Sequence, residues 1–324
     1  MTITADADSA RPTLDDSIRN RLRGAVTQLG SVVLGKESVI LDAMTAVLAG
    51  GHILLEDVPG VGKTTLARAI AHVLGCKFKR IQFTNDLLPS DVIGVHVYQR
   101  SNDTFDFRPG PIFANVVLAD EVNRTTPKTQ SSLLEAMNES QVSIGQETHA
   151  LPSPFLVIAT QNPQDFHGTY PLPESQLDRF MVRLRMGYAS PQVEREILRG
   201  ARRIDPEGIT PLLSAEELVQ LAQHVDEVRV DDVVIDYLMA LVEGTRRSPQ
   251  LTLGVSTRGA MALQRAAQAR AFLLEREYVL PDDIKHLALP VLAHRVQAGG
   301  HMAQGHELAE RILSELIDSV EVPL

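Results

Sequence analysis

Gly60, Gly62, Lys63 and Thr64 stand in a spacing that suits phosphate chemistry. In Asp57-Val58-Pro59-Gly60-Val61-Gly62-Lys63-Thr64-Thr65 the two glycines let the backbone turn its N–H groups inward as an anion cradle. The Lys63 ammonium can bridge terminal phosphates and the Thr64 hydroxyl can hold Mg²⁺, with Pro59, Val61 and Thr65 completing the loop. The strict form of the pattern has glycine where this chain has Asp57, and a carboxylate beside phosphate is repelled unless it points away. A glycine-rich turn capping an ordinary helix would share several of these residues, so the loop needs support elsewhere.

That support is Val116-Val117-Leu118-Ala119-Asp120-Glu121, a buried-strand pattern that ends in adjacent carboxylates. Neighbouring strand residues point to opposite sides. One acid can therefore order a metal's water shell while the other orients and deprotonates an attacking water, and these roles fall to Asp120 and Glu121 respectively. Loop and acid pair together predict a nucleoside triphosphate hydrolase.

Positioning these groups requires strands that end at the loop and at the acids. Ile53-Leu54-Leu55 leads into the loop and a helical stretch leaves it. Further strands are expected at 78–83, 116–120, 155–159 and 180–185, with helices near 37–49, 63–74 and 128–139. This alternation predicts an α/β core over 20–189, with a parallel sheet covered by helices and the ligand at the strands' carboxyl ends. Residues 95–108 and 141–151 read as hairpins, the second with Gly145 near its tip. After Met186-Gly187-Tyr188 only helical patterns follow, near 191–203, 214–226, 231–246, 257–276, 281–297 and 305–319, so 190–324 is expected to form an all-α lid. Ser214 with Glu217 is a capping box, and Pro281 marks another helix start.

Composition narrows the class. A chain of 324 residues with 44% hydrophobic content favours two folded domains. Residues 1–19 are polar and acidic, are expected to be disordered, and lack the basic and apolar regions of a signal peptide. Without an apolar run of about 18 residues no membrane span is expected, and the chain reads as cytoplasmic. Cys76, the single cysteine, fits a small core residue, and the ten histidines show no ligand spacing, so neither type receives a role. The net charge of −10 disfavours broad attraction to nucleic acid. Basic residues at 183–185 and 199–203 look like strand edges or solvated faces.

The chain resembles the MoxR family of AAA+ ATPases from about Leu34 to its final helices. The residues that carry the likeness are Leu55 to Thr64, Leu118-Ala119-Asp120-Glu121-Val122-Asn123-Arg124, Ala159-Thr160-Gln161-Asn162-Pro163, Leu172 to Phe180, and Ser256-Thr257-Arg258. An aspartate at position 57 resembles this family's own variant of the loop. The resemblance implies ATP and Mg²⁺ as cofactors and makes Asn162 the sensor that hydrogen-bonds the attacking water or the γ-phosphate, although an asparagine ending a strand is a common local reading. It makes Arg179 the arginine finger that acts on a neighbouring subunit's nucleotide. Alone, Arg179 also fits a surface salt bridge, and Arg183 or Arg185 could be confused with it. Arg258, in a helix's first turn where the dipole disfavours a cation, becomes a second sensor compensated by ATP; pairing with an acidic neighbour is the other reading. Leu34 and Gly35 resemble the segment that packs near adenine.

The same resemblance implies a homo-hexameric ring that remodels or matures client protein complexes, or inserts metal cofactors, often with a partner bearing a von Willebrand factor A domain. Two other classes share these parts. A nucleic-acid-stimulated motor would show steeply salt-dependent activation by DNA, and a nucleotide-gated binding protein would scarcely hydrolyse. The full set of Lys63, Asp120, Glu121, Asn162 and Arg179 counts against the second.

Overall fold

The apolar runs fold as parallel strands of one sheet. The computed structural model describes residues 15–145, 147–162, 168–199, 205–299 and 302–322. The core contains α1 (Asp16–Val32), α2 (Glu37–Leu48), β1 (His52–Glu56), α3 (Lys63–Val73), β2 (Phe78–Gln82), α4 (Pro89–Ile93), β3 (Gly94–Gln99), β4 (Thr104–Pro109), β5 (Val116–Asp120), α5 (Pro127–Glu139), β6 (Gln141–Ile144), β7 (Glu147–Ala150), β8 (Leu156–Gln161), α6 (Glu174–Leu177) and β9 (Phe180–Leu184). The helical part contains α7 (Pro191–Leu198), α8 (Ala215–Val225), α9 (Asp232–Arg247), β10 (Leu251–Leu253), α10 (Thr257–Leu273), α11 (Pro281–Leu292), β11 (Gln297–Ala298) and α12 (Met302–Ser319).

The five-stranded sheet runs β2-β5-β8-β1-β9 and every pairing is parallel. Its central strands β1 and β5 are buried along their full length, as expected for a sheet covered on both faces. One face packs Leu55, Leu118 and Ile158 against α1, α2, α3 and the helical part. The other packs Leu54, Val117 and Val157 against Leu133, Leu134 and Met137 of α5. Buried His52 spans this second layer. Its Nδ1 accepts from the Val157 N–H at 3.0 Å, so Nε2 carries the proton and donates to the Met137 carbonyl at 3.0 Å.

Several sequence expectations change here. Helix α1 begins at Asp16, inside the segment expected to be disordered; residues 1–14 lie outside those described. The Asp15 side chain caps α1 and accepts the Ser17 N–H at 2.9 Å, while Leu22, Ala25 and Leu29 form its buried stripe. Within the helical part, β10 and β11 pair as a short antiparallel ladder. The stretch expected to be helical to 203 is helical to Leu198, and 200–204 lie outside the described residues. Arg183 is no solvated edge residue: it is buried, with Glu56 Oε2 at 3.4 Å and Glu310 of α12 as a second partner. The capping box at Ser214 is present, with Glu217 N–H donating to Ser214 Oγ at 3.2 Å and Ser214 N–H to Glu217 Oε2 at 3.0 Å. Among the described residues no helix is long and apolar enough to cross a membrane.

Candidate nucleotide site

Sheet order and register bring the chemistry together. Leu54 of β1 lies beside Ala159 of β8, which in turn pairs with Ala119 of β5. The loop after β1, the acids ending β5 and the segment after β8 therefore emerge side by side at the carboxyl edge. A cavity of about 330 Å³ opens there, lined by Gly60, Gly62, Lys63, Asp120, Glu121 and Asn162 together with Pro59, Thr64, Thr65 and Thr160. A second cavity of about 630 Å³ shares Gly60, Gly62 and Thr65 with it and continues to Leu34 and Val61. Leu34 thus faces the groove. Gly35, with φ of +67°, is not among the lining residues and instead packs against Val193.

The loop's conformation depends on its glycines. Gly60 and Gly62 take φ of +87° and +100°, the left-handed region that residues with a Cβ avoid. Nothing lies within 4 Å of a Cβ built on Gly60, so the constraint there is backbone conformation rather than crowding. Gly62 also precedes α3, whose first N–H groups and dipole face the cavity. Asp57 points away from this cradle. Its Oδ1 accepts from its neighbour Val58 N–H at 2.8 Å and its Oδ2 from Gly187 N–H at 2.5 Å, which ties the loop to the junction after β9. Lys63 Nζ donates to the Asp57 carbonyl at 2.5 Å. Partial burial pulls the Lys63 ammonium below its usual pKa range, opposed by the charges of Asp57, Asp120 and Glu121.

The acid pair is held by residues that sequence reasoning did not single out. Thr160 Oγ1 donates to Asp120 Oδ1 at 2.6 Å and accepts the Glu121 N–H at 2.9 Å, so one hydroxyl fixes both acids. Glu121 adopts φ of +57°, a left-handed conformation that costs a non-glycine residue about 1–3 kcal/mol and turns its carboxylate out of the strand line. Its Oε2 accepts from Gln82 Nε2 at 2.9 Å and pairs with Arg124 at 3.2 Å. On Asp120 the outer oxygen is taken by the Arg80 guanidinium. Asp120 and Thr64 both line the cavity, and a carboxylate with a hydroxyl is an all-oxygen donor set that fits a hard divalent ion. Only the strand order could have revealed Arg80 and Gln82, since both sit on β2 beside β5.

The four arginines named from sequence separate. Arg179 does not line its own chain's cavity; it donates to the Leu134 carbonyl, and its Nε is buried without a hydrogen bond. Arg183 and Arg185 are both engaged by Glu56 and Glu310. Arg258 follows the Ser256 cap in α10 but does not reach the cradle. It lies 3.7 Å from Asp178 and donates to Asn138 Oδ1 at 3.1 Å, so an acidic neighbour is what compensates it here. Asp178 is also gripped from α11's end by buried Arg295, whose Nε donates to its Oδ1 at 2.8 Å and whose Nη2 donates to the Phe180 carbonyl at 2.7 Å. Burial pulls the Arg295 pKa down, and Asp178 opposes this. Cys76 is buried near the Leu74 carbonyl, with its thiol pushed up to about 11 by burial, in keeping with a core role.

Comparison with known proteins agrees with this geometry. Residues 52–182 match the ATPase family associated with various cellular activities (AAA), and residues 243–316 match the AAA lid domain. The chain is 49% identical to YeaC of Bacillus subtilis (strain 168) over 93% of its length and 94% of that protein. It is 37% identical to Chaperone MoxR1 of Mycobacterium tuberculosis, covering 93% of this chain and 82% of the other. A crystal structure of a candidate ATPase from Cytophaga hutchinsonii superposes with a TM-score of 0.84 at 37% identity, covering 95% of this chain and 96% of the other. With an α/β core, a helical lid and relatives of this similarity along most of its length, the chain belongs to the MoxR family of AAA+ ATPases.

Proposed function

We propose that the chain hydrolyses ATP with Mg²⁺ in this groove and spends the free energy on remodelling client protein complexes, as a cytoplasmic homo-hexameric ring. The observation that carries the reading is one cavity lined by cradle, lysine, both acids and Asn162. Backbone N–H groups of the loop and Lys63 bind the phosphates, Asp120 and Thr64 hold the metal, and Glu121 takes a proton from water that Asn162 helps to orient. Bound Mg²⁺ would supply charge neutralisation on the β- and γ-phosphates. The Leu34 end of the second cavity receives adenine.

In this reading Arg179 serves across a subunit boundary, which is consistent with its not lining its own chain's cavity, and Arg258 couples lid position to nucleotide state. Client contact falls to the hairpin β3–β4, where Tyr98 and Phe105 pack with ring centroids 5.3 Å apart and remain 47% and 69% exposed. Maturation or metal-cofactor insertion, and a von Willebrand factor A partner, extend the proposal by family resemblance. The test mixes two inactive variants. Glu121→Gln should bind ATP without turnover, Arg179→Ala should do the same, and a mixture should regain turnover because some interfaces carry both native groups. Normal turnover by Glu121→Gln alone, or a mixture as inert as its parts, would end the proposal.

A further inference from the structure

His96, Glu147 and His149 come from different hairpins and carry no ligand spacing in the sequence, yet the fold gathers them. Glu147 and His149 stand two apart on β7 and so share one strand face. His96 lies on β3, directly opposite Phe107 of β4. The ligand atoms of all three lie within 4.8 Å of one another. His149 Nε2 is 3.5 Å from Glu147 Oε2, and His96 Nε2 is 3.9 Å from the same oxygen. In a tetrahedral site with bonds of about 2.0–2.1 Å, neighbouring ligand atoms stand about 3.3 Å apart, so the first edge is close to this value and the second needs a shift of about half an ångström.

A second observation points the same way. His149 Nε2 is buried and makes no hydrogen bond. Leaving such a nitrogen unsatisfied costs about 1–3 kcal/mol, and a bond to a metal would remove that cost. The rings are also held in place without it. His149 stacks on Phe107 with centroids 3.9 Å apart and planes 16° apart, His96 packs on the same ring at 5.7 Å, and Phe113 supports Phe107 edge-on at 5.5 Å. Glu147 is the exposed member, which leaves the solvent side open.

We propose that His96, Glu147 and His149 form a Zn²⁺ site that fastens hairpin β3–β4 to hairpin β6–β7, with water as the fourth ligand. Two imidazoles and one carboxylate select Zn²⁺ over the hard ions Mg²⁺ and Ca²⁺. The site is separate from the nucleotide groove, whose cavities none of these residues lines. Its effect is mechanical: the hairpins move as one body when the metal is bound and separately when it is not.

The test uses the full chain, stripped of metal with a chelator, free of nucleotide and Mg²⁺, and titrated with Zn²⁺ by calorimetry. One saturable Zn²⁺ per chain is expected, together with new hydrogen-exchange protection in both hairpins. His149→Phe keeps a ring against Phe107 while removing the nitrogen, and Glu147→Ala changes an exposed position, so at least one variant should stay folded by circular dichroism. Each should weaken Zn²⁺ binding by more than about 100-fold, beyond the 10- to 100-fold typical of losing an outer-shell partner. Co²⁺ in place of Zn²⁺ should give the intense visible bands of a four-coordinate ion. No saturable site, a site that survives both substitutions, or protection confined to one hairpin would overturn the assignment and leave an ordinary imidazole–carboxylate pairing.

Discussion

Arg80 and Asp120, forty positions apart, are joined by two hydrogen bonds to the same oxygen: Arg80 Nε donates to Asp120 Oδ2 at 3.0 Å and Nη2 donates to it at 2.5 Å. The adjacency of β2 and β5 enforces the meeting, because Arg80 pairs with Leu118 two residues before the acid. A guanidinium on this oxygen competes with any cation the acid is to serve. Arg80→Gln should therefore lower the Mg²⁺ concentration giving half-maximal ATP hydrolysis, by about 2- to 5-fold for a half-exposed pair of this kind. An unchanged or higher Mg²⁺ requirement would show that Arg80 supports the metal rather than rivals it.

Asp57 explains why a glycine is dispensable at its position. The carboxylate serves two backbone N–H groups, one of them beyond β9. Removing it in Asp57→Ala should cost about 1.5–3 kcal/mol in urea unfolding and loosen nucleotide binding, since charge-assisted hydrogen bonds of this sort contribute on that scale. Asp57→Asn should lose less, because one amide oxygen can still accept. Equal losses in the two variants would contradict the two-bond account.

His52 makes the fold acid-sensitive. Burial pushes its pKa down to about 4 from an ordinary 6.5, against the opposing hydrogen bond to Met137. Between those values the unfolded chain holds a proton that the folded chain does not. Stability therefore falls as pH drops from about 6.5 to 4, by about 1.4 kcal/mol per pH unit, and this contribution levels off below 4. Urea unfolding at pH 7 and pH 5.5 should differ by about 1.2 kcal/mol from this residue, and His52→Gln should flatten that part of the profile. A variant with the parent's slope would locate the acid sensitivity elsewhere.

Arg183 is the buried centre of an ionic group that links β1 to α12. Glu56 is drawn below the usual carboxylate range: burial opposes this, but Arg183, Gln161 and Arg185 together outweigh it. Arg183→Ala should cost about 3 kcal/mol, at the lower end for breaking a buried pair because Arg185 remains on both acids. Replacing Glu56 by Gln in the same chain should recover part of that loss. A cost below about 0.5 kcal/mol would mean that the pair is not desolvated as the burial implies.

The groups proposed to bind phosphate were legible because they are local. Gly60 to Thr65 lie in one loop and Asp120 and Glu121 end one strand, and hydrophobic runs located β1, β5, β8 and β9 to within a residue or two. Partners across the sheet were not legible. Arg80, Gln82 and Thr160 act on the acids only because β2, β5 and β8 are neighbours, and a linear pattern does not state that order. Helix α1 was missed because its polar start looks like the tail before it, although Leu22, Ala25 and Leu29 carry a helical stripe. The pair β10–β11 has three and two residues, too short for alternation to register. Arg258 shows the other limit: its place after a cap was readable, but its partner Asp178 lies in a distant segment.

Asp178 has a consequence through its place in the chain. It is the residue immediately before Arg179, and Arg295, 117 positions further along the chain, clamps both its carboxylate and, at 3.1 Å, its carbonyl. A tilt of the helical part would therefore pull on the peptide that carries the next guanidinium. In the proposed ring, a bending motion within one copy would be geared to the reach of the side chain offered to the copy beside it, so that the state of one seat would bear on the next without any separate messenger.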